Sequence, residues 1–273
     1  MSLRSQLGFL RRRLLHSAYP RRVSLENRGP IVSFSFDDFP RTAFTVGGRI
    51  LKSYGVRGTY YTAMGLMNTF NELGDHFCRK DLDALMDDGH ELASHTFSHI
   101  SCCSVACSTF RADVMKGRRA IEDLTGQYAP GNFAFPFGEV TLRTKRAIGA
   151  EMASCRSVWS GFNGPEVDLN LLRANSLYGD RDKYDQVRKL ILDNERRNSW
   201  LIFYSHDVRH NPSRFGCTPA LLEFAVSFAS HQRARILTVA EVVTELVACP
   251  RRSDLGWANC IATTETGSDL KRS

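Results

Sequence analysis

Ile31-Val32-Ser33-Phe34-Ser35-Phe36-Asp37-Asp38-Phe39-Pro40 is an apolar run that ends in two adjacent carboxylates and a proline. The run reads as a strand, and Pro40, which has no N–H to donate, keeps the ladder from continuing. Successive side chains on an extended backbone point to opposite faces, so Asp37 and Asp38 can serve different partners, one a cation and the other a proton. Two adjacent aspartates on their own also suit a solvated turn. The rest of the chain decides between the two readings.

Outward from this stretch, helix and strand patterns alternate. Helical spacing covers Val46 to Tyr54, Lys80 to Asp88, Phe110 to Leu124, Thr141 to Ile148, Tyr184 to Arg196, Leu221 to Ser230 and Val239 to Val247. Strand-like runs occupy Arg57 to Thr62, Glu91 to Ser94, Phe133 to Phe137, a weaker Glu151 to Cys155, an extended Leu171 to Leu177, Trp200 to Ser205 and Arg235 to Thr238. Such alternation predicts an α/β fold with a parallel sheet, and its length predicts closure into a single distorted (β/α) barrel of about seven parallel strands over residues 30–248. Residues 1–29 then form a basic N-terminal arm and 249–273 a C-terminal tail rich in Ser, Thr and charge.

Composition narrows the function. Of the net charge of +7, the first 28 residues hold a surplus of six, from seven arginines against Glu26. The body is close to neutral, which argues against nucleic acid as its partner. Leu3, Leu7, Leu10 and Leu14 align on one face of a helix beside Arg11 to Arg13. This predicts either peripheral contact with an anionic membrane through residues 1–28 or a helix packed across the barrel bottom. The arginines interrupt every apolar piece of the arm, so it does not read as a signal peptide, and we expect a cytoplasmic protein. Of the eight cysteines, Cys102, Cys103 and Cys107 cluster without the paired spacing of a structural zinc site, while Cys78, Cys155, Cys217, Cys249 and Cys260 are scattered. All are expected to be reduced thiols.

His95-Thr96-Phe97-Ser98-His99 places two imidazoles four residues apart just after a strand. On a helical turn they would share a face and could bind one cation. An acid from the Asp37-Asp38 tip completes a His, His, carboxylate set that leaves positions open for water. His206 follows the Trp200 to Ser205 strand, and a parallel barrel brings all these strand ends to one mouth.

Taken in order, Ser-Phe-Asp-Asp (35–38), His-Thr-Phe-Ser-His (95–99), Phe-Ala-Phe-Pro-Phe-Gly (133–138) and Phe-Tyr-Ser-His-Asp (203–207) resemble the motifs of the polysaccharide deacetylase family, the NodB-homology or carbohydrate esterase family 4 group. The resemblance implies a NodB-like barrel that removes an N-acetyl group from an N-acetylated sugar, polysaccharide or glycan precursor. It implies a divalent metal, Zn2+ foremost with Co2+ or Ni2+ as alternatives, held by Asp38, His95 and His99, with Asp37 as base and His206 as acid. Pro136, Phe137, Arg173 and Tyr204 are the expected substrate-side residues. Two alternatives stay open: an amidase or deacylase acting on a non-polymeric substrate, and a non-catalytic carbohydrate-binding barrel.

Three departures from the family pattern stand out. An arginine that orients the base is expected where Ala134 stands, and Arg173 is the candidate to replace it in space. The acidic and aromatic segment that tunes the acid histidine has only Trp159, Asn163, Asp168 and Asp180 as candidates. Tyr204 stands where a leucine is usual.

Overall fold

The computed structural model describes residues 14–26, 28–126 and 131–248. Leu3, Leu7, Leu10, the arginines at 4 and 11–13, Cys249, Cys260 and the predicted tail lie outside them. No helix among the described residues is long and apolar enough to cross a membrane.

The sheet is built on Ile31–Asp37, buried along its whole length. On one parity Val32, Phe34 and Phe36 join Leu201 and Phe203 under the helices, with Phe34 stacked on Phe203 at 5.7 Å. On the other parity Ser33, Ser35 and Asp37 face the barrel interior. Their hydroxyls are satisfied there: Ser33 accepts from the Trp200 indole at 2.9 Å, and Ser35 donates to the Phe203 carbonyl at 2.8 Å. A strand covered on both faces is typical of parallel sheets.

Seven strands run parallel in the order Asn175–Ser176, Trp200–Ser205, Ile31–Asp37, Thr59–Thr62, Glu91–Ser94, Asn132–Ala134 and Ser154–Arg156. An eighth, Arg235–Ile236, pairs with Ile31 and Val32. The sheet curls because one segment touches both of its edges. Leu172 exchanges hydrogen bonds with Cys155 and Ser157, while Asn175 and Ser176 pair with Phe203 and Tyr204. The expected distorted barrel is therefore present, and the strand ends at 37, 94, 134, 156 and 205 point to one mouth.

Several boundaries move. The helix expected from Val46 begins at Ala43 as a wide π turn to Gly48 before becoming α-helical over Arg49–Ser53. A Cβ at Gly48 would lie 2.8 Å from the Phe44 ring, so a glycine is needed where the chain packs back on itself. The Phe133 to Phe137 run is a strand only to Ala134, after which Pro136–Gly138 makes a 3₁₀ turn. Within the extended Leu171 to Leu177 stretch, only Asn175–Ser176 forms a strand. The weak strand expected over Glu151 to Cys155 runs over Ser154–Arg156, which places one more residue in the interior.

Residues 14–26 are fastened to the barrel. Arg22–Ser24 pairs antiparallel with Glu166–Asp168, and Leu15 is buried. Lys145, fully buried, donates to the Leu15 carbonyl at 2.7 Å and to Asp168 Oδ2 at 2.6 Å, while Asp168 Oδ1 accepts from the Arg21 amide at 2.9 Å. Removing one partner of a buried pair leaves a charge without compensation. Asp168→Ala is therefore expected to cost about 3 kcal/mol and to lower the melting temperature by about 6 to 12 °C in a calorimetric scan. The six described cysteines are free thiols.

Candidate active site

Five short segments meet at the mouth, and each is held by local geometry. After Asp37 the backbone turns left-handed at Asp38 (φ 63°) and Phe39 (φ 57°). This turn, rather than simple alternation, separates the two acids. Thr96 (φ 65°), His99 (φ 51°) and Phe137 (φ 58°) share this uncommon conformation, so five of the nine non-glycine residues with positive φ among the described residues lie in the turns that carry Asp38, His99 and Phe137. Backbone held in this way is characteristic of functional sites.

Residues 95–99 are not the helical turn that the spacing predicts. They form an irregular loop, pinned by Asp113 of the Cys107–Thr125 helix, whose carboxylate accepts from the Phe97 and Ser98 amides at 3.0 and 2.9 Å. Gly117 of the same helix lies so close that a Cβ would be 2.6 Å from the Thr96 carbonyl oxygen. The helix thus presses the loop inward until both imidazoles face Asp38. Asp38 Oδ1 is 3.4 Å from His95 Nε2 and 3.0 Å from His99 Nε2, and Asp38 Oδ2 is 3.9 Å from His206 Nε2.

This donor set suits a divalent metal. One oxygen and two imidazole nitrogens converge within 4.8 Å of one another, the only such group of three among the described residues. His95 Nδ1 donates to the Ala134 carbonyl at 2.8 Å, which fixes the tautomer and leaves Nε2 as the free lone pair. Burial holds the His95 pKa down at about 4, so the ring is neutral, as a ligand must be. For Asp38, burial raises the pKa, but the hydrogen bond from His99 and the charges of the three histidines outweigh it and hold the carboxylate well below its ordinary range. His99 is raised, since its contacts with Asp38 exceed the cost of its own burial.

Asp37 faces away from this group, toward Arg156. The two form a fully buried ion pair, and the guanidinium stands 4.7 Å from the Tyr61 ring centroid and 5.1 Å from that of Tyr204. Burial pulls the Arg156 pKa down, yet the charge of Asp37 more than restores it. Arg156 is in register with Ala134 on the neighbouring strand, so the small side chain at 134 leaves room for the long one at 156. Arg173 does not fill this position: it hydrogen-bonds the Ser160 carbonyl and His16 on the outside of the barrel. The expectation for Arg173 is corrected. The weak strand simply extends one residue further than its sequence pattern suggested.

His206 is oriented by backbone. Its Nδ1 donates to the Phe215 carbonyl at 3.1 Å, and its ring lies against Tyr178 and Phe215. Buried Asp207 shapes the loop that supplies this carbonyl, accepting from Ser213 N at 2.9 Å and pairing with Arg209. None of the four expected tuning residues is placed against His206. Trp159 lies against His16, Asn163 bonds Arg173 and Trp200, Asp168 pairs with Lys145, and Asp180 accepts from Thr218. Tyr204 lines the wall with Tyr178 at 5.4 Å, and Pro136 is buried at the head of its turn. Phe133 and Phe135 are core, whereas Phe137 is 61% exposed with its ring 4.7 Å from that of His99.

His90 is a buried structural residue whose Nδ1 accepts from the Gly58 amide at 2.9 Å. Burial lowers its pKa to about 4. Between pH 6.5 and 4 the unfolded chain binds a proton that the folded chain refuses, so this contribution is complete above pH 6.5 and is lost as pH falls toward 4. Stability of chelator-treated protein should fall by about 2 to 3 kcal/mol from this group over that window, and calorimetry of His90→Gln should show a shallower slope.

Comparison with known proteins agrees with the architecture. The polysaccharide deacetylase family model matches residues 25–153. A Mycobacterium smegmatis structure assigned as a polysaccharide deacetylase superposes with a TM-score of 0.59 at 16% identity, covering 86% of this chain and 97% of that one. A peptidoglycan N-acetylglucosamine deacetylase (TM-score 0.52, 18% identity) and the chitin deacetylase of Colletotrichum lindemuthianum (0.51, 19%) each cover 77% of this chain and 86% of their own. No curated protein sequence matches the chain.

Proposed function

We propose that this chain, whose residues 25–153 match the polysaccharide deacetylase family model, is a metal-dependent hydrolase that removes the acetyl group from an N-acetylated glycan. The observation that carries this reading is the separation of the two acids, Asp38 among three imidazoles and Asp37 on a buried guanidinium.

Asp38, His95 and His99 would hold the cation. When bound, a divalent metal supplies a Lewis acid that polarises the acetyl carbonyl and makes water a stronger acid. Asp37 accepts the proton of the attacking water, and its pairing with Arg156 keeps one oxygen occupied so that the other meets the water in a fixed orientation. Breaking the carbon–nitrogen bond requires a proton on the departing amine. His206 supplies it from Nε2, because Nδ1 is committed to the Phe215 carbonyl. Tyr204 and Tyr178 close one side of the cavity, and Phe137 presents a free ring at its rim. The products are acetate and a free amino sugar.

The test is acetate release from N-acetylglucosamine oligomers. Activity should disappear after exhaustive chelation and return with Zn2+, Co2+ or Ni2+. Unchanged turnover by protein shown to be metal-free would refute the reading.

A further inference from the structure

A separate cavity lies at the other end of the barrel from the chemistry above. Arg197 closes the Tyr184–Arg197 helix, and Ser199 precedes the Trp200–Ser205 strand, whose far end leads into His206. The six residues of that strand set this cavity about 20 Å from the mouth. Its volume is about 340 Å³, and Gly161, Phe162, Arg173, Arg197 and Ser199 are among the residues that line it. The walls are fixed by backbone and amide bonds. The Asn163 amide donates to the Trp200 carbonyl at 3.0 Å, and the Trp200 amide returns the bond at 2.8 Å. Asn163 Oδ1 accepts from the Arg173 amide at 2.9 Å while its Nδ2 donates to the Arg173 carbonyl at 3.0 Å. Asn175 makes the same double connection to the Gly161 backbone, at 3.0 and 2.8 Å, and both asparagines are buried.

The described lining holds two guanidiniums and no carboxylate. Arg173 lies along Gly161, where a Cβ would come within 3.0 Å of its Cδ. It donates to the Ser160 carbonyl at 3.1 Å and to His16 Nε2 at 2.6 Å. A guanidinium cannot accept, so His16 is the acceptor and its ring is neutral. Burial, and after it the charges of Arg173 and Lys145, hold the His16 pKa down at about 4. Arg197 is laid out on the Phe162 ring, 5.1 Å from its centroid. It pairs with no carboxylate among the described residues, whereas its neighbour Arg196 is held by Asp193. Two like charges on one wall repel each other, and no side chain of the lining offsets them. Guanidiniums present planar forks of N–H donors that match the oxygens of a phosphate. A cavity of this size stands at the small end of ligand sites and admits a phosphoryl group with part of the molecule that carries it.

We propose that this cavity binds a phosphate monoester, with Arg197 and Arg173 as its two cationic donors and Phe162 as the surface that holds the Arg197 fork in place. A soluble ester and a lipid headgroup share this chemistry. The cavity is separate from the two acids and three histidines at the mouth, so it stands or falls independently of the deacetylase reading.

The test is titration calorimetry of the metal-loaded full chain with glycerol 3-phosphate, and with glycerol as the uncharged control. Wild type should bind the phosphate and not glycerol. Arg197→Ala should weaken the Kd about tenfold, and Arg197→Lys should lose less, because an ammonium keeps the charge but not the fork. Arg197 is exposed, so both variants should keep the wild-type melting temperature and metal content. Arg173→Gln should also weaken binding. Should that variant fail to fold, the Arg197 series decides alone. Absence of binding by wild type, or equal affinity in wild type and Arg197→Ala, would overturn the site, since an anion held at the metal centre or elsewhere is untouched by that substitution. Sedimentation with phosphatidic acid vesicles, against phosphatidylcholine vesicles, identifies the source. Vesicle binding that Arg197→Ala abolishes assigns the cavity to a lipid headgroup, and binding of glycerol 3-phosphate without such vesicle binding assigns it to a soluble ester.

Discussion

Arg156→Met is expected to lower kcat for acetate release about 10³-fold while leaving the metal content at its wild-type value. The substitution keeps the length and apolar body of the side chain but removes the only cation that touches Asp37 among the described residues. Unchanged metal content and an unchanged KM beside the fall in kcat separate an orienting role from a merely structural one, which would lower the melting temperature and the metal content as well. Arg156→Lys should fall between the two. An ammonium can reach a carboxylate as a point charge, but it has no planar face to lie between Tyr61 and Tyr204. A Met variant that is folded, metal-loaded and fully active would show that Asp37 needs no orienting partner.

The barrel and the five polar residues at its mouth were readable because they obey simple rules. Period-two alternation in Ile31–Asp37 is set by one apolar parity under the helices and one small, hydroxyl-bearing parity inside. Trp200–Ser205 and Glu91–Ser94 have the boundaries that their patterns predict, and strand ends on a parallel barrel must meet. What was not readable depends on pairing across strands. Arg156 follows Ser154 and Cys155 in a segment with too few residues to show a period, and its neighbour Ala134 is distant in sequence yet in register beside it. Alternation held the available signal: Cys155 packs outward into the core, so Ser154 and Arg156 point inward.

The histidine loop is a second case. Its spacing of four suggested a helical turn, but an irregular loop brings the rings together, and the force that shapes it comes from Asp113 and Gly117 on a later helix. Sequence shows that a glycine is present in that helix, not that a neighbouring carbonyl lies where its side chain would be. For His206 the partner is the backbone carbonyl of Phe215, which carries no side-chain signature at all.

Asp38→Ala should produce the largest loss of all, reducing acetate release to the level without enzyme. Asp38 is the only carboxylate whose oxygen faces His95, His99 and His206 together among the described residues. Without it the remaining pair of imidazoles carries no charge to offset a divalent cation, and two neutral nitrogens fall short of the three protein ligands usual for catalytic zinc. Metal analysis of the variant should therefore find well under one equivalent. Its stability should fall as well, though far less than its activity. Burial opposes the charge of this carboxylate, but the hydrogen bond from His99 and the charges of the nearby histidines more than offset that cost, so its removal takes a net stabilising group from the metal-free fold. We expect metal-free Asp38→Ala to melt about 2 to 8 °C below metal-free wild type. Wild type alone should gain stability on adding Zn2+, because a ligand that binds only the folded state stabilises it by mass action. An Asp38→Ala protein that still takes up one equivalent of metal and gains the same thermal shift would remove Asp38 from the metal site and return the two acids to a shared, unassigned role.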